Sequence, residues 1–171
     1  MIDAGIWPYN VLNHDVTGKT IRMKIYLDAC VYNRPFDDQK QPRIAVEAME
    51  ALYLLSKIET GRIKLIGSFA LQYENDNNPH VDRRDMISDV MRLTKEFIEY
   101  SDGVMNRAKE IEKNGIMGLD AIHLACAEKA QADCFVTCDD ILLKKSLRIK
   151  DQLKVKVFSL LSFMNEEVFE V

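Results

Sequence analysis

The sequence predicts a three-layer α/β/α domain, a parallel sheet covered by helices on both faces. Two observations carry this expectation. Short apolar runs rich in β-branched residues recur along the chain, and segments with apolar side chains three and four residues apart separate them. Such alternation of strand and helix signals parallel pairing, because each return to the same edge of a sheet needs a crossover helix.

The elements follow in order. KIYLD (24–28) is a short apolar run suited to a buried strand. Residues 41–60, QPRIAVEAMEALYLLSKIET, have helical spacing, with Pro42 in the first turn and Gly61 as the stop. RIKLIGSFALQYEN gives a strand over 62–66 and then a helix opening near Ser68 and carrying Glu74. A polar-faced helix is expected at 80–94, a third strand in EFIEY (96–100), and a helix in VMNRAKEIEKNG closed by Gly115. GLDAIHLACAEKAQ reads as a helix, DCFVT as a strand and DDILLKKSL as a helix. VKVFS (155–159) is the fifth strand and LLSFMNEEVF the last helix. Residues 1–22 show neither period, so they read as an N-terminal arm or extension, with the compact domain over 23–171.

At 171 residues the chain is expected to form one domain with a substantial core. No apolar run approaches the roughly 18 residues of a membrane span, and the first twenty residues lack a secretory pattern, so a cytoplasmic protein with no membrane partner is expected. Cys30, Cys126, Cys134 and Cys138 are too few and too irregular for a disulfide framework or a zinc site, and read as reduced thiols. A net charge of −4 excludes bulk attraction to nucleic acid and leaves only a local basic patch for that purpose.

The acids are the informative residues. In an open parallel sheet, ligands bind outside the carboxyl ends of the strands. Asp28 and Asp139 sit at two such ends, Asp120 opens the helix that feeds the second, and Glu74 lies one to two turns beyond a third. Two carboxylates ~5 Å apart repel by roughly 3 kcal/mol at an effective dielectric of about 20. A divalent cation reverses that sign, and carboxylate oxygens suit Mg²⁺ or Mn²⁺. The chemistry expected of such a site is phosphoryl transfer or phosphodiester hydrolysis.

KIYLDACVYN, SFALQYE and LDAIHLACAEKAQADCFVTCDD, in that order, resemble the motifs of the PIN-domain ribonucleases over roughly Met23 to Ser159. The most specific part is D-A-x-H-x-A followed by a T-x-D strand end. The resemblance implies a five-stranded parallel sheet between helices and Mg²⁺- or Mn²⁺-dependent cleavage of RNA. It implies Asp28, Glu74, Asp120 and Asp139 as catalytic and metal-binding residues. Many members of that family are toxins held by a cognate antitoxin, so an antitoxin is an implied partner. The chain departs from the family where Ala29 and Cys30 follow the first aspartate; a serine, threonine or asparagine is common there. A DNA nuclease of the same fold and a catalytically weak binding or regulatory module are the alternative readings.

Other residues have two readings each. Asp120 and Asp139 suit helix caps as well as metal ligands, and Asp140 suits a cap or a supporting group. His123 follows Asp120 by one helical step, so it either orients a carboxylate, meets substrate or packs. Thr137 either holds a water at the site or is an ordinary strand threonine. Arg34 either reaches a phosphate or pairs with Asp37 or Asp38. Glu47 and Glu50 read as solvated, and the basic cluster KKSLRIK (144–150) as a local field for substrate or as dipole partners of a helix end. Helix 41–60 carries more apolar positions (Ile44, Val46, Met49, Leu52, Tyr53, Leu55) than one core stripe needs, which predicts a homodimer. Ile6, Trp7 and Tyr9 of the arm are candidates to cover part of that surface.

Overall fold

The computed structural model describes residues 23–165, together with Asn13–His14 and Thr20–Ile21. The last two segments, β1 and β2, pair antiparallel as a small separate sheet. Ile6, Trp7, Tyr9 and most of the expected arm lie outside the described residues, as do residues 166–171 of the last expected helix.

Five strands form the parallel sheet: β3 (Lys24–Leu27), β4 (Lys64–Ser68), β5 (Glu96–Ile98), β6 (Cys134–Thr137) and β7 (Lys156–Ser159). They lie in the order β5-β4-β3-β6-β7, every neighbouring pair parallel. The chain starts in the centre, moves outward through β4 and β5, and then crosses to β6 and β7 on the other side. The order therefore reverses between β3 and β6, which opens a crevice at their carboxyl ends.

The strands are covered on both faces. Ile25, Tyr26 and Leu27 are all fully buried, as are Leu65 and Ile66, and Phe135 and Val136. Successive residues point to opposite faces, so a fully buried run requires a layer on each side. Tyr26 and Phe135 are register partners and stack at 5.4 Å, tying β3 to β6 through side chains as well as backbone.

The helices fall where the spacing predicts, with shifts at their ends. Helix α1 (Ala29–Asn33) and a 3₁₀ turn over Arg34–Phe36 follow β3 directly; five residues are too few to show helical spacing in the sequence. Helix α2 spans Pro42–Glu59, and Gly61 at φ +73° ends it in the left-handed region as expected. Then come α3 (Phe69–Asp76), α4 (Val81–Met91), α5 (Asp102–Glu112), α6 (Leu119–Lys129), α7 (Asp140–Arg148) and α8 (Leu160–Phe163). Strand β4 begins two residues later than the spacing placed it, because Gly61 and Arg62 complete the turn out of α2. Helix α3 packs on α4 and α6, α6 on α5, and α2 on α8.

One buried ion pair locks this scaffold. The Glu128 carboxylate on α6 accepts from Arg107 Nε and Nη2 of α5 at 2.6 and 3.1 Å. It also takes the Lys154 amide at 2.8 Å, and Arg107 reaches the Gln152 carbonyl at 2.7 Å. Two helices and the approach to β7 thus meet on one carboxylate. Removing the guanidinium strands a buried charge, so Arg107→Ala should lower the unfolding free energy by about 3 kcal/mol in urea titration, whereas removing Arg92, an exposed arginine paired only with Asp89, should change it by less than about 1 kcal/mol.

Candidate active site

The parallel pairing of β3 with β6 assembles the rim. Leu27 faces Val136, and the Asp28 amide continues the ladder onto the Val136 carbonyl at 3.0 Å. Asp28 is thereby held beside Thr137, whose hydroxyl donates to Asp28 Oδ2 at 2.7 Å and accepts the Asp139 amide at 2.9 Å. Asp28 Oδ1 takes the Ala29 amide at 2.8 Å and so caps α1. The Cys30 thiol, at the departure from the family pattern, donates to Asp28 Oδ2 at 3.2 Å and lies 3.3 Å from Thr137 Oγ1. A hydroxyl beside the first aspartate is thus supplied by Thr137, one strand over. None of the four thiols is in a disulfide; Cys126, Cys134 and Cys138 are buried and Cys30 half-buried.

Asp139 caps α7, its Oδ1 accepting from the Ile141 and Leu142 amides at 2.7 and 3.1 Å. The cap reading of this residue is therefore real, and it leaves Oδ2 without a hydrogen-bond partner among the described residues. Asp120 lies in the first turn of α6, behind Gly118, whose φ of +61° turns the chain into the helix. Asp120 does not cap that helix, and its carboxylate has no hydrogen-bond partner among the described residues. Partial burial, then the charges of Asp28 and Asp139 and more weakly Glu74, push its carboxyl above the usual aspartate range, opposed in part by His123. The charges of the other three acids all act on Asp120.

His123 does not orient Asp120, the neighbour its spacing suggested. Its Nε2 lies 2.9 Å from Glu74 Oε2, and its Nδ1 lies 2.7 Å from the Tyr26 hydroxyl, which is 2.6 Å from Ser68 Oγ. Burial holds the Tyr26 phenol well above its ordinary pKa, so it stays a donor. In the tautomer with the proton on Nε2, that nitrogen donates to the Glu74 carboxylate and Nδ1 accepts from Tyr26, which accepts from Ser68. Ser68 in turn takes the Leu71 amide at 3.2 Å as the cap of α3. Tyr26 and Ser68 were not legible as site residues. The available signal was a tyrosine in an otherwise aliphatic buried strand, since its hydroxyl needs a partner.

Arg34 is committed to ion pairs: Nη1 to Asp37 at 3.1 Å and Nε to Glu47 at 3.0 Å, with Nη2 donating to the Cys138 carbonyl at 3.3 Å. Asp38 takes no part in that pairing and accepts from the Lys40 amide. Glu47 is 2% exposed and not the solvated residue its helix position suggested, because Arg34 and Arg43 both reach it. Asp140 is exposed and forms a two-pronged pair with Arg43, both contacts at 2.6 Å. That pair holds its carboxyl below the usual range. Asp133 lies at the opposite, amino-terminal rim, where it accepts the Lys24 amide at 2.7 Å. The basic cluster occupies the far end of α7, and the helix rise carries Arg148 about 13 Å from Asp139.

The donor set at the rim is hard oxygen, the kind that suits Mg²⁺ or Mn²⁺. Among the described residues, no three histidine, cysteine, aspartate or glutamate side chains are close enough to form a metal cage. Mg²⁺ commonly binds through one or two carboxylates and keeps waters or substrate phosphates for the rest, so an open arrangement fits that ion better than a closed cage.

No protein-family model matches the chain, and no curated protein matches it. Among solved structures it is similar to the crystal structure of VapBC2 from Rickettsia felis bound to a DNA fragment from their promoter. The identity is 17%, the match covers 80% of this chain and 98% of that one, and the TM-score is 0.47. The chemistry of the rim rests on this chain's own residues.

Because Asp120 binds a proton more tightly in the folded protein than in the unfolded chain, its charge opposes folding at neutral pH. In EDTA at pH 7, Asp120→Asn should raise stability by on the order of 1 kcal/mol, the repulsion being discounted for half exposure. The gain should fade as the pH drops to the ordinary aspartate pKa of about 3.9, where the native residue is itself protonated. Thermal melts across that pH range check this.

Proposed function

We propose that this chain is a PIN-like, divalent-metal-dependent endoribonuclease, a hydrolase of RNA phosphodiester bonds working in the cytoplasm. The observation that carries the reading is the convergence of charge at the topological switch point. Asp28 and Asp139 end the two strands between which the sheet order reverses, and the proton affinity of Asp120 is raised by its partial burial and then by the charges of both. Helix capping accounts for Asp28 and Asp139 at these strand ends, but not for Asp120, which caps nothing.

Mg²⁺ or Mn²⁺ bound there supplies charge neutralisation at a phosphate and a more acidic water. Asp120 and the free Oδ2 of Asp139 are the oxygens available to hold the ion, with Asp28 held behind them by Thr137 and the Ala29 amide. Glu74, aimed by His123, offers its Oε1. Asp120, with neither oxygen hydrogen-bonded among the described residues, would take the proton of the attacking water at its carboxylate. The open rim admits a phosphate of either sugar, so DNA cleavage is the rival outcome. A catalytically weak binding or regulatory module is the second rival.

The same proposal includes an antitoxin as a partner, Met23 as the start of the compact domain, and a homodimer. On α2, Val46, Met49, Leu52 and Tyr53 are 49, 72, 53 and 37% exposed, while Ile44 and Leu55 are partly buried. Among the described residues no helix is long and apolar enough to cross a membrane.

Two measurements test these readings. Protein incubated with mixed RNA and DNA in Mn²⁺ should cleave RNA and stop on adding EDTA. Asp120→Asn should lose at least ~100-fold in rate, because a lost ligand charge weakens both ion binding and the water it activates. Cleavage of DNA alone, or undiminished cleavage by the variant, would sink the assignment. Sedimentation at tens of micromolar should show a dimer, the range in which interfaces of ~1,600 Å² usually hold.

A further inference from the structure

The loop from β6 to α7 carries Asp139, which is exposed and tied down by its own cap and by the Thr137 hydroxyl. A second set of contacts grips the residues on either side of it. Arg34 donates to the Cys138 carbonyl, the residue before; Arg43 takes the Asp140 carboxylate with both terminal nitrogens, the residue after. Both arginines pair with one carboxylate, Glu47: Arg43 Nε donates to it at 2.9 Å, and Arg34 Nε lies 3.0 Å away as an ion pair outside hydrogen-bond geometry. Asp37 holds Arg34 from the other side, and Arg83 pairs with Asp37 at 3.7 Å and donates to the Phe36 carbonyl at 3.0 Å. Three arginines and three acids thus form one network from α2 through the 3₁₀ turn and α4 to the rim.

We propose that Glu47 is a positioning residue for Asp139: a buried carboxylate that holds two guanidiniums as the jaws of a clamp around the loop. A buried charge costs stability unless it is paired, and here it is paired twice. Two parallel N–H···O contacts on Asp140 fix direction as well as distance. The role of Asp139 rests on the nuclease reading above; the clamp itself does not. A reacting group displaced by an ångström loses much of its effect, so the clamp should register in turnover and leave substrate binding alone.

The test is Glu47→Gln, read by amide hydrogen exchange and by cleavage in Mn²⁺. Protection of the Ile141 and Leu142 amides, which Asp139 caps, should fall about 10-fold or more. Protection of Tyr26 and Val136 in the central strands should stay unchanged. Turnover should fall about 10-fold with KM unaltered. Selective loss at Ile141 and Leu142 in a protein whose native form cleaves neither RNA nor DNA supports the clamp and overturns the nuclease reading. Unchanged protection at those two amides, or an equal loss at every amide, overturns the clamp. Should Glu47→Gln fail to fold, Arg43→Met, altered at a half-exposed arm, carries the same exchange readout: selective loss at Ile141 and Leu142 supports the clamp, and unchanged or uniformly lowered protection overturns it.

Discussion

The parallel pairing of β3 with β6 is the constraint on which the rim depends. It sets Leu27 opposite Val136 and brings Asp28 into the ladder that Thr137 extends. A slip of one residue would turn every side chain of β3 to the other face, moving Tyr26 away from Phe135 and His123. The same register that stacks Tyr26 on Phe135 therefore fixes the distance between Asp28 and Thr137. Core packing and site geometry are one specification here.

From that base the acids differ in how tightly they are held. Asp28 is bound through both oxygens, Asp139 through one, and Glu74 through one, each to a donor that a strand or helix of the frame presents. Asp120 has none. Hydrogen bonds to a carboxylate favour its charged form, whereas crowding by other carboxylates favours the protonated one. Partial burial and the three tethered anions around it raise the proton affinity of Asp120, the untethered acid of the rim. The anions also give the rim a reason to attract a cation.

Caps and buried ion pairs turn this local order into a rigid frame. Asp28, Ser68, Ser101, Asp139 and Ser159 each cap the helix that follows, so the strand-to-helix corners are set by side chains at the rim itself. Glu47 and Glu128 are helix acids buried by arginines from elsewhere in the chain, one steadying the rim and the other the scaffold behind α6. Both follow the rule that an interior charge survives only with partners.

By itself the sequence determined the five strands, the helices between them and the carboxyl-end address of Asp28 and Asp139, because period and strand-end position are local properties. Pro42, Gly61, Ser68 and Gly115 marked boundaries for the same reason. Tertiary structure alone decided which strands are neighbours, and hence that Asp120 feels Asp28 and Asp139. It decided that His123 serves Glu74 through a relay from Tyr26 and Ser68. It also decided that Glu47, four residues after Arg43 on an apparently solvated face, is buried. Those facts depend on groups up to about a hundred positions apart, such as Arg34 with Cys138 and Tyr26 with His123. A residue's spacing shows which way it points along its own helix; what waits there is set by the packing of the others.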